Sequence, residues 1–197
     1  MLKGQTEIAG YDFGSSSVAR SPLTLEELRQ MEETLGWTTK DAEILLKHSA
    51  FFEKQAEAMV DSWRAVIGAQ PHLAQWFFAP DGRPDDDYKA RVKSRFVQWV
   101  VDVATRPRDR AWLNYQEEIG RRHTPAKKNK TDDRHTPAVV PLRFLLTFVP
   151  VVADIGGFLE SEIQDRQASA LIQAAWTKAV HLHIALWTRP YTMEGLW

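Results

Sequence analysis

The chain contains no cysteine among its 197 residues. That removes disulfides, zinc-thiolate sites, thiolate ligation of iron and any cofactor tethered through a Cys-x-x-Cys-His motif, so a bound group has to be held noncovalently. An excess of one charge is also missing. With 25 basic and 26 acidic side chains the formal net charge is -1, which argues against a nucleic-acid partner or an acidic membrane surface. No apolar run reads as long enough to span a bilayer, and Met1-Leu2-Lys3-Gly4-Gln5 carries no signal-peptide core. The expectation is a cytoplasmic protein without a membrane partner. There is no internal repeat, no His-x-x-x-His pair and no repeated Glu-x-x-His, which disfavours a zinc or di-iron carboxylate site.

Sustained period-two alternation is absent too, and the patterns that remain are helical. Thr24 with Glu27 forms a capping box that opens a helix through Leu25, Leu28, Met31 and Leu35, stopped by Gly36. A longer helix is expected from about Asp41, through Leu45, Phe52, Ala56, Met59, Trp63 and Ile67, ending before Pro71. Pro80-Asp81-Gly82 makes a turn, and Asp85-Asp86-Asp87 suits the start of a helix carrying Tyr88, Val92, Phe96, Trp99 and Val103. Pro141 precedes the apolar Leu142 to Val152 run, whose valines alone would permit a strand but whose length favours a helix kinked at Pro150. Ser161 with Gln164 is expected to cap a last helix through Leu171, Ala174, Lys178, Leu182 and Ala185. With 44% hydrophobic residues the chain can bury one sizeable core. A single all-α domain over 1–197 is expected, with residues 1–20 an irregular, Gly- and Ser-containing extension.

One histidine stands out. In Trp112-Leu113-Asn114-Tyr115-Gln116-Glu117-Glu118-Ile119-Gly120-Arg121-Arg122-His123, counting back by threes and fours from His123 meets Ile119, Tyr115 or Gln116, and Trp112. The imidazole thus continues the buried face of an amphipathic helix, and Thr124-Pro125 ends that helix beside it. On spacing alone it is either a satisfied core histidine or a metal ligand. His48, His72, His135, His181 and His183 lack this placement, and the last two, being two apart, face different ways on a helix.

The same segment, with Lys127-Lys128-Asn129-Lys130-Thr131-Asp132, resembles the proximal-helix region of protoglobins, single-domain haem globins related to globin-coupled sensors. Gly10-Tyr11-Asp12-Phe13-Gly14, Pro71-His72-Leu73, Pro80-Asp81-Gly82, Ala185-Leu186-Trp187 and Pro190-Tyr191 resemble protoglobin segments in the same order. The resemblance implies a globin-like helical sandwich whose N-terminal extension lies over haem b. It also implies His123 as the iron ligand, a diatomic gas as the ligand of the iron, and a homodimer.

It implies further that Trp63, Phe96, Leu145, Phe148 and Val152 line the haem pocket, with Tyr88 and Val92 on the same helix as Phe96. Read from spacing alone, these are equally core residues. Where the protoglobin pattern has a tyrosine directly after the distal tryptophan, this chain has Arg64. A guanidinium needs a partner if buried, so Arg64 pairs with a propionate or an acid, bends to solvent, or bonds an anionic ligand. Arg95 is placed to reach a propionate, whereas Lys127-Lys128-Asn129-Lys130 reads as a solvated loop.

Two function classes follow. One is reversible binding of dioxygen, carbon monoxide or nitric oxide. The other is a haem enzyme acting on nitric oxide, nitrite or peroxide, or an engineered carbene-transfer catalyst on the same scaffold. A dedicated peroxidase is disfavoured because no distal histidine accompanies the motif. A haem-free helical interaction domain is the remaining alternative.

Overall fold

The computed structural model describes residues 7–192 and 197, so the first six residues of the expected extension lie outside it. Among the described residues there are helices, turns and one isolated bridge, Phe78 to Pro84, but no strand. Helix α1 (Leu25–Thr34) opens as the sequence predicts. Glu27 N donates to the Thr24 hydroxyl and Thr24 N to the Glu27 carboxylate, while Gly36 follows at φ +62.

The long second helix is two helices, α2 (Thr39–Lys47) and α3 (Ser49–Gly68). The break is at His48. Its own Nδ1 lies 2.8 Å from the Ile44 carbonyl, the acceptor its backbone N–H would use in a continuing helix, and that N–H turns to Leu45 instead. The ladder breaks without any proline or glycine, and the imidazole meets the Ile44 carbonyl that the break leaves free.

Helix α4 (Pro71–Ala74) and a 3-10 turn over Gln75–Phe77 lead to α5 (Asp86–Thr105), capped by Asp85, and α6 (Arg110–Arg121), capped by Asp109. The remaining helices are α7 (Leu142–Ala153), which contains Pro150, then α8 (Gly156–Glu162) and α9 (Arg166–Thr188). The cap of α9 differs from the expectation. Asp165 accepts from Gln167 N and Ala168 N, whereas Ser161 sits inside α8 and gives its hydroxyl to the Phe158 carbonyl. Asp165 sits directly before the helix, where its carboxylate reaches the first free N–H groups, and Ser161 lies four residues too early to do so.

By length and composition alone, Leu142–Glu162 could cross a membrane, with a mean hydropathy of 1.7, contrary to the expectation that no such run exists. In the fold it is two helices of 12 and 7 residues, each shorter than the roughly 20 a bilayer requires. Gln173 on α9 holds the break between them, donating to the Ala153 carbonyl and accepting from Ile155 N.

The core gathers Phe52, Trp63, Trp99 and Trp176, together with aliphatic residues of α2, α3, α5, α6 and α9. Buried indoles bring an N–H that needs an acceptor. Trp176 donates to Val152 O, Trp99 to His183 Nδ1 and Trp187 to Gln116 Oε1. Helices α6 and α9 touch at Gly120, where a Cβ would lie 3.0 Å from Trp187 Cα and 3.1 Å from Trp187 O.

Candidate functional site

His123 follows the end of α6, its N–H bonded to Gly120 O and its carbonyl accepting from Val140 N at 2.9 Å. The Tyr191 hydroxyl lies 3.1 Å from that carbonyl and 2.6 Å from Val140 O, so the backbone is pinned from α6, the following loop and the chain end. The ring is held as firmly. Nδ1 lies 2.9 Å from the Ile119 carbonyl, which can only accept, so the proton sits on Nδ1 and Nε2 carries the lone pair. Nothing among the described residues bonds Nε2. Burial depresses the imidazole pKa to about 4, against a smaller opposing effect of the Ile119 bond, so the ring is neutral at physiological pH.

This imidazole borders a cavity of about 650 Å³ with a mainly apolar wall, within the size range of small-molecule and cofactor sites. The wall brings together Arg64 on α3; Tyr88, Val92, Arg95 and Phe96 on α5; His123; and Leu145, Phe148 and Val152 on α7. Trp63 is the exception. It is 2% exposed and lies behind the wall, with ring centroids 5.3 Å from Phe96 and 6.4 Å from Trp176. Helical spacing puts Trp63 and Phe96 on facing surfaces, but does not say which ring stands in front.

The charged groups of the wall are mostly paired. Arg95 grips Asp132 through two bonds, 2.9 and 2.6 Å, and donates to Ala9 O. Arg122 bonds Glu118, Asp12 and the Gly10 carbonyl, so two wall arginines hold the N-terminal segment. Lys128 is buried, not solvated as its loop composition suggests. Its Nζ donates to Trp76 O and the Thr136 hydroxyl, and burial lowers its pKa to about 8. Among the described residues Arg64 meets only Asp61, at 3.4 Å.

Sequence reasoning did not assign Trp76, Phe144, Trp187 or Lys128 to the wall, although Trp187 and Lys128 fall in the protoglobin-like segments. The Trp76 indole N–H is buried at the cavity with no protein acceptor among the described residues. Such a donor is satisfied when a ligand brings an acceptor.

An all-helical sandwich with a neutral, lone-pair-bearing imidazole at the end of a helix, beside an apolar cavity, defines a globin. The protoglobin family profile matches residues 24–197, and the chain belongs to that family. Its fold is similar to the globin domain of the Geobacter sulfurreducens globin-coupled sensor, with a TM-score of 0.67 at 14% identity over 84% of this chain and 98% of that one. A search of curated proteins found no match.

The residues present fit the haem of a globin. His123 would offer the nitrogen donor to its iron, the apolar wall a slot for the ring system, and Trp76 an unused hydrogen-bond donor.

Proposed function

We propose that this protein holds haem b through Nε2 of His123 and reversibly binds a diatomic gas, dioxygen, carbon monoxide or nitric oxide, at its iron. The observation that carries this reading is the His123 ring itself. A ligand imidazole must be unprotonated, and its orientation is set by the bond at the other nitrogen. Both conditions are built in, through desolvation and the Ile119 carbonyl. When bound, the iron supplies the coordination position for the gas. The protein orients the ring through Trp187 and Tyr191, and Phe96, Leu145 and Phe148 exclude water from the slot.

The test is reconstitution with haem. The parent is expected to show a histidine-ligated ferrous spectrum, and His123→Gly to lose it and regain it with added imidazole. An unchanged spectrum and full loading in His123→Gly would overturn the assignment.

The same reading includes pairing of two copies. It is supported by the exposed Leu171, beside Ala174 on a shallow groove between α2 and α9.

A further inference from the structure

We infer that Arg64 makes the haem cavity favour a small oxyanion of the nitrite type over neutral ligands, acting as a specificity-determining residue. This rests on the haem reading above. Among the described residues the cavity wall carries five cations, of which four are committed. Lys89 is bonded to Asp86, Arg95 to Asp132, Arg122 to Glu118 and Asp12, and Lys128 to a carbonyl and a hydroxyl.

Arg64 differs in two ways. Its single polar contact among the described residues, with Asp61, is long at 3.4 Å, and that carboxylate is already taken by Lys93 at 2.9 Å. Lys93 also holds Glu57, so Asp61 has little charge left to offer the arginine. The guanidinium side chain is 29% exposed at the cavity wall, and most of its five N–H donors meet no protein acceptor among the described residues.

A planar, permanently charged fork matches two oxygens of one anion and offers little to an uncharged diatomic. The predicted effect is therefore a change in selectivity rather than in overall affinity. Nitrite brings both features the site can use, an oxygen pair for Arg64 and a lone pair for ferric iron.

The experiment titrates the ferric haem-loaded protein with sodium nitrite by absorbance at fixed ionic strength, with carbon monoxide binding to the ferrous form as the neutral control. Arg64→Met should weaken nitrite binding by about tenfold, the size of one charge-assisted hydrogen bond, and leave carbon monoxide affinity and haem loading within about twofold. Arg64→Lys should recover part of the loss through charge without the fork. Asp61→Asn, which releases the guanidinium, should tighten nitrite binding. An Arg64→Met protein that loads haem and binds nitrite like the parent overturns the inference, as does a parallel loss of nitrite and carbon monoxide binding, which would mark a structural role. A chain that takes up no haem overturns the haem reading and this inference together.

Discussion

The imidazole of His123 stacks on the indole of Trp187, with ring centroids 5.8 Å apart and planes 23° from parallel. The indole is itself fixed by its bond to Gln116 at 3.0 Å. The His123 ring is therefore braced at one nitrogen by Ile119 and across its face by a tryptophan that cannot rotate freely.

Removing that brace should loosen the bound group. Trp187→Leu is expected to speed haem loss several-fold while keeping a histidine-ligated spectrum. The rate of haem transfer to an excess of an apoglobin acceptor reads this directly, and an unchanged rate would show that the stack contributes nothing to retention.

Phe96 and Trp63 should separate cleanly. Phe96 fronts the cavity, so Phe96→Ala should change carbon monoxide association after flash photolysis. Trp63→Ala empties core volume behind it and should cost ~3–5 kcal/mol in chemical denaturation. If the two variants gave the same pair of effects, the order of the rings would be wrong.

Asp132 is the near-fully buried partner of Arg95. Asp132→Ala leaves a buried guanidinium with only the Ala9 carbonyl, and a loss of ~3–5 kcal/mol is expected. The double variant Asp132→Ala, Arg95→Met should recover much of it, because no unpaired charge remains. Urea unfolding of the three proteins makes the comparison.

His183 gives a pH dependence with a defined sign. The Trp99 N–H can only donate, so His183 Nδ1 accepts and the buried ring is neutral, with its pKa driven well down by desolvation. The unfolded chain takes up this proton near pH 6.5 and the folded chain does not. Stability is therefore full above about pH 6.5 and falls as the pH drops, by about 1.4 kcal/mol per unit for each such histidine until the folded pKa is reached. In the haem-free protein His123 adds to the slope until about pH 4. Urea unfolding between pH 7.5 and 5 checks it. His183→Leu should reduce the slope, and a slope equal to the parent's would contradict this account.

For the pairing of two copies, light scattering across micromolar concentrations is expected to give twice the monomer mass, and Leu171→Glu to shift it toward the monomer. A strict monomer throughout would remove the proposal.

The elements legible in the sequence were those governed by local chemistry. The Thr24 capping box, the Asp85 start, the proline boundaries and the inward phase of His123 all follow from neighbours a few residues apart. What was hidden depends on distance in the chain or on a side chain behaving unlike its type. The break at His48 falls at neither a proline nor a glycine, and no periodicity records it. Lys128 sits in a basic run and is buried only because Trp76 and Thr136 supply acceptors. The Arg95 to Asp132 clamp spans 37 positions, and the depth of Trp63 relative to Phe96 is a matter of three-dimensional packing.

Gly120 is not among the residues that line the cavity, yet it sits one turn before His123. Its missing methyl lets α6 and α9 close upon each other there, and two of the three opposing atoms, Trp187 Cα and O, are backbone, which cannot swing aside as a side chain would. A larger residue at this crossing acts as a wedge against Trp187, whose indole stacks on His123. The protein's grip on its ring is in this sense set by a hydrogen atom, at a position where a ligand-contact map would show nothing.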